Sequence, residues 1–260
     1  MRATSSWNSG ACMRWLAVLF LMALLTGSIV FPAPASGQGP SRSEIEAHLR
    51  EIYKGYGHKL EIWKQPVRYS VVGLKRQETK QIVDRQFAYL RDLTGLEIKE
   101  ADPTDPNRNF ILVFASPMAG IADIEVLRPI FGKEGQSDAE YRESLEELDR
   151  DELQLRSFGV DHSGSLAFFA VLADPTEWKS NQITVRFLQL IVQGLTQATG
   201  SDRIRPSIFN TYEVLRPASR LPSVDEAYLK ILYGGTFASG MPIDEVLPNL
   251  ASAVASELGG

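Results

Sequence analysis

The chain has 260 residues, with 27 Lys and Arg against 32 Asp and Glu, and a formal net charge of −5. An acidic balance without a run of basic residues argues against nucleic acid and anionic membrane surfaces as partners. The lone cysteine, Cys12, leaves no pair for an internal disulfide and no cluster of thiolate metal ligands, so stability has to come from a packed core.

Residues 1–35 read as an export signal. Arg2 and Arg14 make a basic start without an acidic residue, and WLAVLFLMALLTGSIV, residues 15–30, is a continuous apolar run. Ala33-Pro34-Ala35 and Ala35-Ser36-Gly37 offer small residues for cleavage. The run falls short of the ~20 apolar residues that a spanning helix needs, which favours a cleaved signal over an uncleaved signal-anchor. Cys12 precedes the apolar run and makes no lipoprotein signal. Removing Arg2 and Arg14 with this segment leaves 25 basic residues against 32 acidic ones, a net charge of −7. The expected location is periplasmic or secreted, with membrane attachment only if the signal stays uncleaved.

Residues 36–57 begin as a flexible lead-in, and SRSEIEAHLREIYKGYG then predicts a helix. Ser41 and Glu44 have capping-box spacing, Ile45, Leu49 and Ile52 form an apolar face, and Gly55 or Gly57 ends it. KLEIWKQPVRYSVVG alternates as a strand, and Pro66 argues for an edge or a break. Residues 78–95 have helical spacing with Gly95 as the stop, and LEIKEA and NFILVFAS are short strands around the turn-rich DPTDPNRN. SDAEYRESLEELDRDELQLRSF, residues 137–158, opens on a second capping box and reads as a charged, exposed helix or insertion.

GSLAFFAVLAD, residues 164–174, is an apolar strand, and QITVRFLQLIVQGLTQATG is a long helix. PSVDEAYLKILYGG carries a third capping box, Ser223 to Glu226, and MPIDEVLPNLASAVASEL closes the chain with Pro242 in its first turn. Strands and helices mix without strict alternation, so the expected class is α+β.

The three histidines offer little chemistry. No two share a helical i, i+4 spacing, and His48 and His58 are expected at the surface. Asp161-His162-Ser163 has the letters of a catalytic triad, but sequence neighbours rarely converge as one, and Asp, Ser and Gly are turn formers. No glycine-rich phosphate loop is present.

The segment QGLTQATGSDR, residues 193–203, has the pattern Q-G-x-x-Q-x-x-G-x-x-R. It resembles the H-E-x-x-H-x-x-G-x-x-H of metzincin zinc peptidases in spacing, with only Gly200 retained. RPSIFN, residues 205–210, is similar to the methionine turn of the matrixin branch, with Phe209 at the methionine position. LPSVDEAYLKILYGG, residues 221–235, is similar to the matrixin closing helix. The sequence also resembles a bacterial envelope family classed as a domain of unknown function, through PSIFN, Leu232-Tyr233, Gly240-Met241 and Glu245, with Gln197 and Gly200 in register. That family's acidic pair is replaced here by Gln193 and Gly194.

These resemblances imply a metzincin-like mixed sheet with a long central helix and a C-terminal helical subdomain over residues 58–260. They imply a zinc site whose chemistry is gone. Glutamine amides suit zinc poorly, Gly194 cannot serve as a base, and Arg203 repels a cation. No catalytic residue, metal or cofactor is therefore assigned. Met241 is expected to pack beneath the closing helix.

The long helix carries one polar stripe, Gln182, Arg186, Gln189, Gln193 and Gln197. It is either a solvated face or a groove whose amides hold an extended peptide. Arg186, Gln189, Gln193, Gln197, Asp202 and Arg203 are the binding candidates. A peptide or envelope protein is the expected partner. The alternatives are a peptidase-like hydrolase with an unassigned site and a purely structural envelope component.

Overall fold

In helix α1 (Arg42–Ile52) the Ser41 hydroxyl accepts from the Glu44 N–H, and the Glu44 carboxylate accepts from the Ser41 N–H at 2.8 Å. This is the reciprocal cap that the spacing of the two residues predicts. The computed structural model describes residues 39–55, 57–73, 77–115, 128–132, 135–143, 154–175, 178–210 and 220–259. The expected signal and Cys12 lie outside the described residues.

From α1 the chain runs through β1 (Val67–Val72), α2 (Gln77–Thr94), β2 (Ile98–Glu100), β3 (Phe110–Phe114), α3 (Arg128–Phe131), β4 (Gln154–Val160), β5 (Leu166–Ala173), α4 (Ile183–Thr196), α5 (Ser223–Tyr233) and α6 (Ile243–Glu257). The five strands form one sheet in the order β2-β1-β3-β5-β4. β2, β1, β3 and β5 pair in parallel, and β4 pairs antiparallel with β5 at the edge. The class is α+β, with a five-stranded mixed sheet and six helices among the described residues.

Period-two alternation sorts each strand into two faces. Phe110, Leu112 and Phe114 of β3, with Phe169 and Val171 of β5, face the large core shared with the helices. Ile111, Val113, Ala170 and Leu172 face the opposite side, where Tyr141 is buried among them and Ile130 and Phe131 pack. Ile45, Leu49 and Ile52 of α1 belong to the large core, as do Val246, Leu247 and Leu250 of α6. Met241 packs against that core too.

Several predicted elements differ in detail. β1 begins only at Val67, and Leu60 and Ile62 lie in an extended segment marked by isolated bridges at Lys59 and Trp63. Pro66 is a break and not an edge, because β1 pairs on both sides. The helix predicted over 137–158 starts as expected, with the Ser137 and Glu140 cap formed, but residues 154–160 are strand β4. Pairing with β5 supplies that strand's backbone partners, a long-range fact that the local charge pattern conceals. Residues 144–153 lie outside the described residues.

Ser223 does not cap α5. Pro222 occupies the N-cap, no side chain caps the helix, and Glu226 accepts instead from the Tyr89 hydroxyl at 2.6 Å. Pro242 sits at the N-cap of α6, one residue before its first turn. Asp161-His162-Ser163 is a turn. The Asp161 carboxylate accepts from the N–H groups of Ser163 and Ser165, and Gly164 takes a positive φ of 74° between β4 and β5.

Phe110 lies at the centre of this packing, with ring centroids 6.0 Å from Trp63, 5.4 Å from Phe87 and 4.7 Å from Phe169. Phe110→Ala is expected to cost about 3–5 kcal/mol of unfolding free energy in urea denaturation, as large buried truncations do. A loss below ~1 kcal/mol would mean that the four-ring cluster is not the packing centre.

Candidate functional site

Two contacts set how α4 sits on the sheet. A Cβ at Gly194 would lie 2.5 Å from the rings of Phe110 and Phe169, so the helix backbone rests directly on β3 and β5. One end earlier, Phe187 packs edge-on against Phe114 at 4.9 Å. A third contact sets one flank, where Gln86 of α2 donates to the Thr184 carbonyl. At 100° per residue, Gly194 and Phe187 then point at the sheet and Thr184 towards α2. Arg186 and Gln193 fall on the other flank, above β5 and the β4 edge.

The glutamines are not a solvated face. Gln189, Gln193 and Gln197 are only 9%, 4% and 6% exposed. Gln189 donates its amide to the Ile208 carbonyl at 2.9 Å and accepts from Arg186 at 3.2 Å, tying α4 to the SIFN turn. Gln197 donates to Glu61 at 2.7 Å. Gln193 differs from both, because its Oε1 is buried and accepts no hydrogen bond. Such an atom normally has a partner, and Gln193 is the one glutamine of the stripe with a buried side-chain oxygen left without one.

α4 also ends earlier than predicted. Thr196 is its last residue, and Gln197, not Gly200, takes the left-handed cap with φ 57°. The Gln197–Glu61 bond helps hold that uncommon conformation for a non-glycine residue.

After α4 the chain meets α1. His48, expected at the surface, is 2% exposed, and its Nδ1 lies 3.0 Å from the Ser201 hydroxyl. Ser201 donates in turn to Glu51 at 3.0 Å, and Arg203 pairs with Glu51 at 2.8 Å. Arg203 is thus an anchor to α1. Asp202 and Arg205 are exposed, whereas His58 is exposed as predicted. His48 stands three residues after Ile45 and four before Ile52, so it shares their buried stripe, and that spacing was the available signal. The serine sits between the imidazole and the carboxylate, not at the end of the chain, so no base is oriented by the acid for acyl transfer.

Below the helix, Asp225 of α5 is 1% exposed and accepts from the Ser207 hydroxyl at 2.9 Å and the Ile208 N–H at 2.6 Å. Ser207 accepts from the Phe209 N–H and Asn210 donates its N–H to the Ser207 carbonyl, so both stabilise the turn. Phe209 is buried against Tyr228 and His48, with centroids 5.9 and 6.1 Å away. Burial lowers the His48 pKa to about 4, and the Arg203 charge adds to it while Glu51 opposes. Burial raises Asp225 to about 7 against its two hydrogen bonds.

The residues at the metzincin ligand spacing do not fit a zinc ion. Gln193 and Gln197 bring neutral amides, with Gln197 held by Glu61, and Gly194 has no room for a side chain. Among the described residues, no group of three His, Cys, Asp or Glu could hold a metal. A family model for proteins of unknown function, DUF2927, matches residues 42–252. The chain belongs to that family. No curated protein and no solved structure matches it. The DUF2927 match starts with α1 and ends within α6, so the α1 clamp on Ser201 and the Gln193 flank both lie inside the family domain.

Two outcomes follow for this DUF2927 domain. Gly194→Ala should destabilise it by about 1–3 kcal/mol, although alanine is the better helix former by about 1 kcal/mol. A stabilised variant in urea denaturation would show that α4 does not rest on Phe110 and Phe169.

The second concerns pH. His48 is depressed from 6.5 to about 4, so its contribution is lost as pH falls from 6.5 towards 4. Asp225 is raised from 3.8 to about 7, so its contribution is lost as pH rises from 3.8 towards 7. The two slopes oppose each other between pH 4 and 6.5, each worth about 1.4 kcal/mol per pH unit. His48→Gln should therefore make stability fall with rising pH in that window, and Asp225→Asn should make it rise. Parallel pH profiles for the two variants would refute the opposed linkage.

Proposed function

We propose that this protein is exported and binds an extended peptide or a protein segment in the cell envelope, without hydrolysing it. One observation carries the reading. The buried, unpartnered Oε1 of Gln193 lies on the flank of α4 that overlooks the edge strand β4, where a peptide N–H would satisfy it. β4 has one neighbour among the described residues and runs for seven, against three in β2 at the other edge. A strand with a free edge is the ordinary site of β-augmentation, in which main-chain bonds give affinity and neighbouring side chains give preference. Val160, at the end of β4, is a large apolar residue that stands exposed, at 49%.

The metzincin-like descent of this frame is part of the same proposal. Its supports are the spacing of Gln193, Gln197 and Gly200, the SIFN turn bound to α4 through Gln189, and the antiparallel strand beside that helix. Export rests on the basic start and apolar run of residues 1–35. Loss of zinc chemistry leaves such a groove intact, because peptide capture needs an edge and pockets and not a metal.

Peptides selected from an extended random library should shift the amide resonances of residues 154–160 and the Gln193 side-chain amide in nitrogen-15 NMR titration. A photoreactive residue in place of Val160 should crosslink the same peptides, while one at Lys99 on β2 should not. Shifts that avoid β4, or equal crosslinking at both edges, would overturn the proposal.

A further inference from the structure

We infer that the peptide held along β4 carries an acidic side chain, received by Arg156 and Arg186; this rests on the peptide-binding reading above. Arg156 lies on β4 with its side chain part-buried, and its Nη1 is buried without a hydrogen-bond acceptor. Arg186 contacts Gln189 through its Nη1, and neither arginine forms an ion pair among the described residues. A part-buried guanidinium without a counter-charge is costly, and a carboxylate is the group that offsets that cost best. The chain is acidic overall, so two cations beside one strand that pair with no carboxylate among the described residues are a local feature.

Strand register places the two arginines in one trough. Phe187 packs on Phe114, which pairs with Ala173, which pairs with Gln154. Gly194 rests on Phe169, which pairs with Phe158. Arg186 therefore stands level with Gln154, Gln193 stands level with Phe158, and Arg156 lies between. Each step of two residues is about 7 Å along the strand, within reach of an arginine side chain. Arg156 has the same strand parity as Phe158, whose ring packs on Phe169 at 4.9 Å, so it projects from the α4 side of the sheet.

The same trough thus offers Gln193 as an acceptor for the peptide backbone and two guanidinium groups as donors for one carboxylate. Arg156 is mid-strand, so an added strand runs past it in both directions. That geometry selects an acidic side chain within the peptide over a terminal carboxylate.

The test uses short amidated peptides of alternating Val and Thr with a central Glu, Gln or Lys, read by fluorescence anisotropy against the exported chain. The Glu peptide should bind about tenfold more tightly than the Gln peptide, and the Lys peptide more weakly than either. Arg156→Gln should remove the Glu advantage while keeping the affinity for the Gln peptide, which also reports that the variant is folded. Arg186→Gln should reduce the advantage in the same way. Equal binding of Glu and Gln peptides would sink the acidic preference but leave the peptide-binding reading standing. Binding of none of the three would sink both. A Glu advantage that survives in both variants would place the recognition elsewhere. An equal gain from freeing the C-terminal carboxylate of the Gln peptide would show that the end, and not the side chain, is recognised.

Discussion

The close approach of α4 to the sheet at Gly194 is the constraint on which the rest depends. Without a Cβ, the helix settles onto the rings of Phe110 and Phe169, and that depth fixes its rotation. Rotation then decides every polar position. Gln189 meets the Ile208 carbonyl, Gln197 meets Glu61, and Arg186 and Gln193 are left on the flank above β4. A side chain at 194 would lift the helix and change all of these at once. In this domain Gly194 is a packing device.

Around that helix the polar groups are mostly closed into pairs. Ser201 joins His48 to Glu51, Arg203 adds a second contact to Glu51, and Thr199 donates to the Ile52 carbonyl at 2.7 Å. These bonds clamp the segment after α4 to α1. On the other side, Asp225 gathers Ser207 and Ile208, so the SIFN turn is held from α5 as well as from α4. Within that frame the Gln193 Oε1 and the Arg156 Nη1 are buried without a hydrogen-bond partner, as are the His48 Nε2 and the Gln86 Oε1; the first two share the flank beside β4.

Much of the fold could be read from local chemistry. Ser41 with Glu44, Gly95 with its left-handed φ of 72°, and the alternation of FILVF each predicted an element that formed. Two of the errors have one cause, which is that partners distant in sequence overruled local signals. β4 was hidden in a charged run because β5 completes it. Ser223 had capping spacing, yet Glu226 was drawn to Tyr89. His48 was placed at the surface although its stripe with Ile45 and Ile52 already pointed inward. The site was legible as a set of residues and not as an arrangement. The spacing singled out Arg186, Gln189, Gln193 and Gln197, but it could not tell a solvated stripe from a buried one, and it missed Arg156 entirely.

What the sequence determined by itself was the inventory: an acidic chain, the positions of most helices and strands, and amides and a glycine where a zinc peptidase spacing needs ligands and a base. These follow from residue type and short-range periodicity, which act within a few residues. Only the tertiary structure decided that the amides of Gln189, Gln193 and Gln197 are buried, that four of the five residues of the stripe have internal partners, and that β4 lies at the edge beside the fifth, Gln193. Those facts depend on strand order and on how far α4 descends onto Phe110 and Phe169, and packing over such distances is set by the whole core and not by any one segment.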